Sequence, residues 1–428
     1  MLGVGNIVDV ELRMLEYKSV TFSYERGIMK PKIPPSKAYL RAVRIEGFRS
    51  CESTLFEPNQ SLSVLIGPNG SGKTSILRAI TLLGALASVR FFFGRKAEAS
   101  ESSVSQFRIL AEFQIGRNLV ALRSTIGYVV DEDNNENVVD VRDEWRIGGI
   151  GKPSRPPKDW VHLPMELLIS VGLPSDDLVL VRRGRRSPPE FPVLVAPAKI
   201  PLLLRKLAVR ATAFRRHIGY YSASQFTNPA RCPSSLEIDD EKDSVRHSSS
   251  RNDHQRFLLD LYRLRAASPD KYSSYISLVG QEGLRLISDI SWKEVKVDSS
   301  QVEVRTGGKI VKRKRQRLLV VPRVRTGTDR VSFGQLSEGT FRTLALVFYL
   351  ITDTSELLLI EEPEVCVHHG LLASIVELIR GQSAAKQIIF STHSDFVLDQ
   401  VKPDNVFSTT MSSRNGTAIR SLAAGYPK

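Results

Sequence analysis

The stretch LSVLIGPNGSGKTSILRAI, residues 62–80, decides the fold of this chain. A short apolar run predicts a buried strand, and the apolar residues after the glycines recur at the spacing of an amphipathic helix. Between the two lies GPNGSGKT, whose glycines let the backbone curl until successive N–H groups converge on a polyphosphate. The helix N-terminus adds its positive dipole end. The sequence therefore predicts a phosphate-binding loop made of Gly67, Pro68, Asn69, Gly70, Ser71, Gly72, Lys73, Thr74 and Ser75.

Two side chains of this loop suit a nucleoside triphosphate and its metal ion. Lys73 can reach the β- and γ-phosphates, and the Thr74 hydroxyl can ligate Mg²⁺. Because the loop lies between a predicted strand and a predicted helix, a chance match to the motif is a weak explanation. We therefore expect ATP as the ligand and Mg²⁺ as its cofactor.

A second group of candidate residues follows two apolar strands near the C-terminus. LLLIEEPE, residues 357–364, is a strand that ends in two acids. We expect Glu361 to hold the Mg²⁺ site, where most nucleotidases have Asp, and Glu362 to polarise the attacking water as a general base. The strand at residues 387–390 ends in STHS, so that His393 can contact the γ-phosphate. The alternative for these residues is an ordinary strand end with solvated acids and a structural histidine.

The helix that precedes the acidic strand begins at LSEG, residues 336–339. Ser337, Gly339 and a free helix N-terminus form an anion site. This site need not serve the phosphate bound by the same chain.

The order of these segments predicts an α/β fold. Short, continuously apolar strands alternate with helices, which indicates a parallel sheet covered on both faces. We predict an N-terminal extension at residues 1–38, the first half of a nucleotide-binding core at 39–100, and its second half at 331–428. Residues 101–330 would form an inserted lid region of strands and helices.

Composition excludes several classes of protein. The chain has 428 residues, 42% of them hydrophobic and 25% charged, which is ordinary for a globular protein. No apolar run is long enough to cross a bilayer, and acids stand where a signal peptide has its apolar core, so we expect a cytoplasmic protein with no membrane contact. Three cysteines at unrelated spacings fit neither a disulfide framework nor a zinc site.

The net charge of +14 favours a polyanionic partner such as nucleic acid. Two basic clusters could contact phosphates without reading sequence: Arg182, Arg183, Arg185 and Arg186 in the first, and Lys312, Arg313, Lys314, Arg315 and Arg317 in the second. The alternatives are a solvated hairpin tip or a surface that docks an acidic protein.

Taken together, these motifs resemble the ABC-type ATPases of the RecF/SMC group. The resemblance rests on IEGFRS (45–50), GPNGSGKT, LSEG, LLLIEEPE and STHS, in that order. It implies a P-loop NTPase head of ABC type, with a mixed sheet and flanking helices. EEPEVCVHH is closest to the OLD ATPases, although VHH replaces their LHP, which leaves the D-loop role of His368 open.

The resemblance also implies a mechanism. Two heads would sandwich two ATP molecules in a homodimer, and Ser337 and Gly339 of one chain would cap the γ-phosphate bound by the other. A metal-sensing glutamine is implied, for which Gln225 is the first candidate, ahead of Gln106, Gln114 and Gln281. Arg49 would approach the phosphates, as a basic residue does after the first strand of the group.

We expect an ATP-gated dimeric switch on nucleic acid, working in antiphage defence or DNA repair. The sequence has no long coiled coil and no Toprim domain, so any effector nuclease would be a separate chain. The alternative is an ATP-binding sensor or scaffold with little turnover that holds a partner protein. A transporter head is a third possibility and would require a membrane partner.

Overall fold

The computed structural model describes residues 37–87, 105–130, 136–150, 160–163, 200–238, 253–305, 309–365, 367, 369–412 and 416–425. They fall into two compact units. The head unit comprises residues 37–227 and 337–428, and the hairpin unit comprises residues 228–336. Within the described ranges, no helix combines the length and apolar character needed to cross a bilayer.

The strands, in chain order, are β1 (Ala38–Phe48), β2 (Cys51–Phe56), β3 (Leu62–Ile66), β4 (Ser105–Ile115), β5 (Asn118–Val130), β6 (Glu136–Ile147), β7 (Val161–His162), β8 (Ile218–Ser222), β9 (Leu236–Ile238), β10 (Asp289–Arg305), β11 (Lys309–Thr326), β12 (Asp329–Val331), β13 (Leu357–Glu361), β14 (Gln387–Ser391), β15 (Val406–Ser412) and β16 (Gly416–Ser421). The α-helices are α1 (Lys73–Ala85), α2 (Leu202–Arg216), α3 (Asp253–Ala267), α4 (Pro269–Val279), α5 (Glu338–Thr352), α6 (His369–Gln382) and α7 (Asp395–Asp399). Short 3-10 turns occur at Ala223–Phe226, Pro229–Arg231, Phe333–Gln335, Pro403–Asn405 and Leu422–Gly425.

The sheet that carries the predicted motifs has the strand order β16-β15-β3-β14-β13-β8. All neighbours in it are parallel except β15 and β16. Strands β13 and β14 are buried along their whole length, as their uninterrupted apolar sequences predict. Because the strands are parallel and in register, Ser222, Glu361 and Ser391 end three neighbouring strands at the same level. The phosphate-binding loop follows β3 at this edge.

A second sheet of the head unit is wholly antiparallel, with the order β2-β1-β4-β5-β6-β7. It shares one hydrophobic core with α1 and α2, including the fully buried Ile45, Ile76, Ile80, Phe113 and Phe214. Burying side chains of this size stabilises by roughly 1.5–3 kcal/mol each. The helix that begins in the phosphate loop is therefore anchored against both sheets of the head unit.

The hairpin unit is built around a third sheet. Strands β10 and β11 pair antiparallel over their full lengths, from Asp289 opposite Arg325 to Arg305 opposite Lys309. Strands β12 and β9 both pair with β11. Helices α3 and α4 complete the unit, and Phe257 of α3 packs edge-on against Phe333 with 6.1 Å between ring centroids.

The structure divides the chain differently from the predicted insertion at residues 101–330. Strands β4 to β6 extend the sheet of β1, and β8 pairs with β13, so these segments belong to the head unit. Among the described residues, those between 228 and 336 form the other unit. The sequence pattern identifies strands but not their partners, which explains the difference. Helix α4 ends at Val279, where Gly280 forms the C-cap.

Gly72, the last glycine of the phosphate loop, gives a test of this packing. It has a φ of +98°, and a Cβ built there would lie 1.9 Å from the Oγ1 atom of Thr417 in β16. Gly70 has a φ of +77° with no atom near its Cβ position. We expect Gly70→Ala to cost about 1–2 kcal/mol of unfolding free energy, from backbone conformation alone. Gly72→Ala should cost about 2–5 kcal/mol, because overpacking adds to that term.

Urea denaturation of both variants would measure this difference. Equal losses for the two glycines would show that β16 does not support the loop as the structure has it.

Candidate active site

The phosphate-binding loop has the form its sequence predicts. It joins the end of β3 to the first turn of α1, and the Ser71 N–H donates to the Pro68 carbonyl at 3.2 Å. The Ile76 N–H donates to the Gly72 carbonyl at 3.0 Å, which begins the helix directly after the last glycine. The dipole of α1 therefore favours an anion at its N-terminus, next to the loop.

Lys73 is the cation of this site. Its side chain lies along the loop, where Nζ donates to the carbonyls of Gly67 at 2.8 Å and Pro68 at 3.1 Å. Burial lowers the pKa of Lys73, and the charges of Glu362, Glu364 and Glu361 oppose that shift. The ammonium group therefore lies in a pocket that an added polyanion would stabilise further.

Glu361 ends β13 with a carboxylate that is 8% exposed. The Thr74 hydroxyl donates to its Oε1, and the Tyr220 hydroxyl donates to its Oε2. Burial and the neighbouring Glu361 raise the pKa of Tyr220 to about 12, so the phenol keeps its proton at neutral pH. A hydroxyl and a carboxylate side by side are hard oxygen ligands of the kind Mg²⁺ prefers. The donors present therefore fit Mg²⁺ held with the help of substrate phosphates. Within the described residues there is no group of three or more His, Cys, Asp or Glu side chains that could hold a metal ion.

Glu362 leaves the strand in a different direction from Glu361. Its φ is +48°, in the left-handed region, and its N–H donates to the Ser391 carbonyl at 3.0 Å. Its Oε1 lies 3.0 Å from Nε2 of His393. A backbone conformation that few residues adopt thus places the second acid against the histidine that follows the neighbouring strand. The structure brings together the two residues that the sequence predicts to act on the attacking water and the γ-phosphate.

Glu364 is a site residue that the sequence reasoning missed. Its Oε1 accepts from the His393 N–H at 2.7 Å. Burial raises the pKa of Glu364, with Glu362 adding to the shift and the His393 N–H opposing it. The only signal in the sequence was its place in EEPE, three residues beyond the strand. His393 is held by one acid through its backbone and by another through its ring.

Hydroxyl groups of residues outside the loop also support it. The Ser50 hydroxyl donates to Ser75 Oγ at 2.9 Å, and the Thr417 hydroxyl donates to Ser50 Oγ at 3.0 Å. Ser71 Oγ lies 2.6 Å from Oγ1 of Thr409 in β15. The β15–β16 hairpin therefore contacts the loop through side chains more than 300 positions away in sequence.

Ser337 is placed as a helix cap. It directly precedes α5. Its Oγ accepts from the Thr340 N–H at 3.2 Å, and its hydroxyl donates to Thr340 Oγ1 at 2.8 Å. The side chain of Ser337 is exposed, and Glu338 forms an ion pair with Arg342 in the same helix. Gly339 lies in the first turn of α5. The end of the helix is thus accessible to a ligand.

Two further candidates lie at the same region of the head unit. Arg49 is in the β1–β2 turn with a φ of +51°, its guanidinium 5.3 Å from the centre of the Phe48 ring, one residue before Ser50. Gln225 follows β8, and its Oε1 accepts from the Ser222 N–H at 3.3 Å. Ser222 is level with Glu361, so the turn that contains Gln225 starts at the same edge of the sheet as the acids. Of the weaker candidates, Gln106 and Gln114 lie in β4, and Gln281 lies in the hairpin unit.

The basic clusters are only partly within the described residues. Lys312, Arg313, Lys314 and Arg315 lie in β11, opposite residues 299–302 of β10. Arg317 forms an ion pair with Glu237 of β9, so its charge is already partly matched. Arg182, Arg183, Arg185 and Arg186 lie outside the described residues, as does His368.

The chain is similar to two protein families. Residues 216–399, which include Ser337, Glu361, Glu362 and His393, match a family described as "AAA domain, putative AbiEii toxin, Type IV TA system". Residues 42–104, which include the phosphate loop, match a family described as "AAA domain".

Individual relatives are similar over short segments. The chain is 47% identical over 53 residues to the DNA replication and repair protein RecF of Chlorobium luteolum, covering 11% of this chain and 14% of that protein. It is 34% identical over 84 residues to RecF of Shewanella amazonensis, covering 20% and 23%. It is 51% identical over 43 residues to the DNA double-strand break repair Rad50 ATPase of Methanopyrus kandleri, covering 10% and 5%. The similar segments thus span less than a quarter of each relative. A crystal structure of an Smc head bound to the C-winged helix domain of ScpA superposes with a TM-score of 0.46 and 12% identity, covering 91% of this chain and 100% of that chain.

Proposed function

We propose that this chain, which belongs to the ABC-type ATPases of the RecF/SMC group, hydrolyses ATP as a dimeric switch that acts on nucleic acid. The observation that carries the proposal is the carboxyl edge of the parallel sheet. Lys73, the Thr74–Glu361 pair and the Glu362–His393 pair converge there, each with a separate role in phosphoryl transfer.

Binding uses the residues that follow β3 and β13. The N–H groups of the loop and the N-terminus of α1 bind the phosphates, and Lys73 exchanges its carbonyl partners for phosphate oxygens. Thr74 and Glu361 would hold Mg²⁺, with Gln225 as the proposed sensor of the metal. An ion held there would supply positive charge against the negative charge that develops on the transferred phosphoryl group.

Hydrolysis uses the second acid. Glu362 accepts a proton from water as the water oxygen attacks the γ-phosphorus, and the bond to the β–γ bridging oxygen breaks to release ADP. His393 holds the Glu362 carboxylate before ATP arrives, at 3.0 Å. It is placed to turn to the γ-phosphate when that group is present. Loss of the phosphate would then remove a contact of His393. The change would reach Glu364 through the hydrogen bond from the His393 N–H.

The dimer follows from the exposed cap of α5. Ser337 and Gly339 lie at the exposed N-terminal end of α5, whose helix dipole suits a phosphate that a second copy of the chain brings. We infer that each composite site is formed by the loop of one protomer and the α5 cap of its partner.

The nucleic-acid part of the proposal rests on charge. The chain carries a net charge of +14, and β11 contains the run Lys312 to Arg315. Contacts of this kind supply sequence-independent affinity. Relatives named as DNA replication and repair proteins support DNA as the polyanion. The proposed context is antiphage defence or DNA repair with a separate effector nuclease, which rests on analogy with related ATPases alone.

Mixing two inactive variants tests the composite site. Lys73→Met removes the phosphate cation, and Ser337→Arg blocks the α5 cap. Each alone should be inactive, but an equal mixture should recover about a quarter of wild-type turnover, because half the dimers are mixed and each has one intact site. The measurement is phosphate release after the two proteins have exchanged subunits.

The matched control mixes Lys73→Met with the double variant Lys73→Met/Ser337→Arg, in which no intact site can form. Recovery in this control, or no recovery in the first mixture despite proven exchange, would contradict a site shared between protomers.

A further inference from the structure

The carboxylate of Glu361 has a second hydrogen-bond partner that the nucleotide motifs do not contain. Thr74, from the loop, donates to Oε1, and Tyr220, from β8, donates to Oε2. Both oxygens of this buried side chain are therefore held by hydrogen bonds. A threonine that donates its proton to Glu361 still has its lone pairs available for a metal ion.

Tyr220 is itself held by the same elements that form the site. It lies in β8 opposite Leu359 of β13, two residues before the level of Glu361. That offset is about 7 Å along the strands, which a long side chain such as Tyr is suited to span. The guanidinium of Arg78 lies 5.8 Å from the centre of its ring. Arg78 belongs to α1, the helix that begins with Lys73 and Thr74.

The length of the Glu361 side chain explains why a hydrogen bond from Tyr220 would matter. Where most nucleotidases have Asp, this chain has Glu, which has one more rotatable bond. Fixing a rotatable side chain on binding costs conformational entropy. A donor that fixes Oε2 beforehand removes that cost from the binding of the metal.

We propose that Tyr220 is a positioning residue that holds Glu361 in the orientation needed to bind the Mg²⁺ of the nucleotide. This inference rests on the proposed function, because it gives Glu361 the metal. It makes Tyr220 part of the metal site without making it a ligand.

The test measures metal binding rather than turnover. Mn²⁺ is titrated into the protein with a saturating non-hydrolysable ATP analogue, and free Mn²⁺ is read by electron paramagnetic resonance. Tyr220→Phe should weaken Mn²⁺ binding by about 10–100-fold, the usual cost of losing a partner of a ligand. Binding of the analogue in EDTA should stay within about twofold of wild type, because the loop and Lys73 are unchanged.

Tyr221→Phe is the matched control. It removes the same hydroxyl one position along β8, from a bond to the Arg342 carbonyl at 3.2 Å. Its Mn²⁺ affinity should equal that of wild type. Equal weakening in both variants would show a general loosening of β8 and would overturn the inference, as would wild-type affinity in Tyr220→Phe.

A double-mutant cycle keeps the proposal testable if the single variant folds poorly. Glu361→Asp shortens the carboxylate by one carbon, so that the contact with Tyr220 is lost in advance. In that background Tyr220→Phe should change Mn²⁺ affinity by less than about twofold. Additive effects would overturn the inference. Wild-type protein that binds the analogue without any Mn²⁺ dependence would instead contradict the proposed function, and the two failures are thus distinguishable.

Discussion

Glu362→Gln is expected to lower steady-state ATP turnover by about 10²–10⁴-fold, the contribution of a positioned general base. Glutamine keeps the shape of the side chain and an oxygen that can accept from His393 Nε2, 3.0 Å from Glu362 in the native chain. It cannot accept the proton of the attacking water. ATP binding should therefore remain, and the protein should accumulate with ATP bound. Phosphate release and equilibrium binding of ATP, measured on the same preparation, separate the two effects.

Glu364→Gln is the matched control for this substitution. It makes the same chemical change two positions along the chain, and its amide oxygen can still accept the His393 N–H. We expect turnover within about tenfold of wild type, because one hydrogen bond of this kind contributes on the order of 1 kcal/mol. A loss as large as that of Glu362→Gln would remove the case for Glu362 as the base.

The trapped Glu362→Gln protein also separates the switch from the scaffold. Light scattering should show a dimer or larger species that forms only with ATP and tightens with duplex DNA. An ATP-binding scaffold would be favoured by an assembly whose size changes with neither ATP nor DNA. It would also require a wild-type turnover so slow that Glu362→Gln does not lower it measurably. An ATP-dependent dimer that ignores DNA would leave the ATPase in place and remove its proposed nucleic-acid partner.

Lys73→Met should reduce turnover by about 10²–10³-fold, the cost of removing one group that stabilises transferred phosphate. It should also weaken ATP binding by about 10–100-fold, since a charge-assisted hydrogen bond contributes about 1.5–3 kcal/mol. The stability of the nucleotide-free protein should change by less than about 1 kcal/mol. Met keeps the length of the stem, and burial already disfavours the Lys73 charge. Chemical denaturation with and without ATP measures the ATP affinity and the stability of the nucleotide-free protein in one experiment.

Lys402→Met is a control on an exposed lysine of the head unit. It should alter neither turnover nor the stabilisation that ATP confers. If Lys73→Met unfolded the nucleotide-free protein, Lys73 would be a structural residue of the loop, and the loss of activity would carry no information on phosphate binding.

Much of the fold follows from local patterns. The apolar runs at residues 62–66, 218–222, 357–360 and 387–390 each become strands of one parallel sheet. Two segments of alternating apolar residues near residue 110 become β4 and β5. The sequence patterns of these segments indicate their secondary structure because strand and helix formation depend on neighbours two to four residues away. The division of the chain into units depends on β-sheet partners that lie far apart in sequence, which local patterns do not identify.

The same limit applies to the site: residues marked by a local pattern could be predicted, and residues that meet only through folding could not. Lys73, Thr74, Glu361, Glu362 and His393 could be named in advance because each follows a strand whose end is marked in the sequence. Parallel strands bring such ends to one edge. Tyr220 could not be named, since it contacts Glu361 across 141 positions and carries no motif. Thr417 meets Ser50 across 367 positions and was missed for the same reason.

The sequence by itself therefore determined a glycine-rich loop between a strand and a helix, the two acids at the end of β13 that we propose for the metal and the attacking water, and the class of nucleotide-binding core that contains them. Phosphate recognition by a loop needs consecutive backbone N–H groups, and a consecutive stretch of residues specifies them completely. Only the tertiary structure decided how Glu361 and His393 are held, and that residues 228–336 form a unit of their own. Those features arise from packing between distant segments, whose free energy depends on which surfaces meet and is not written in any local spacing.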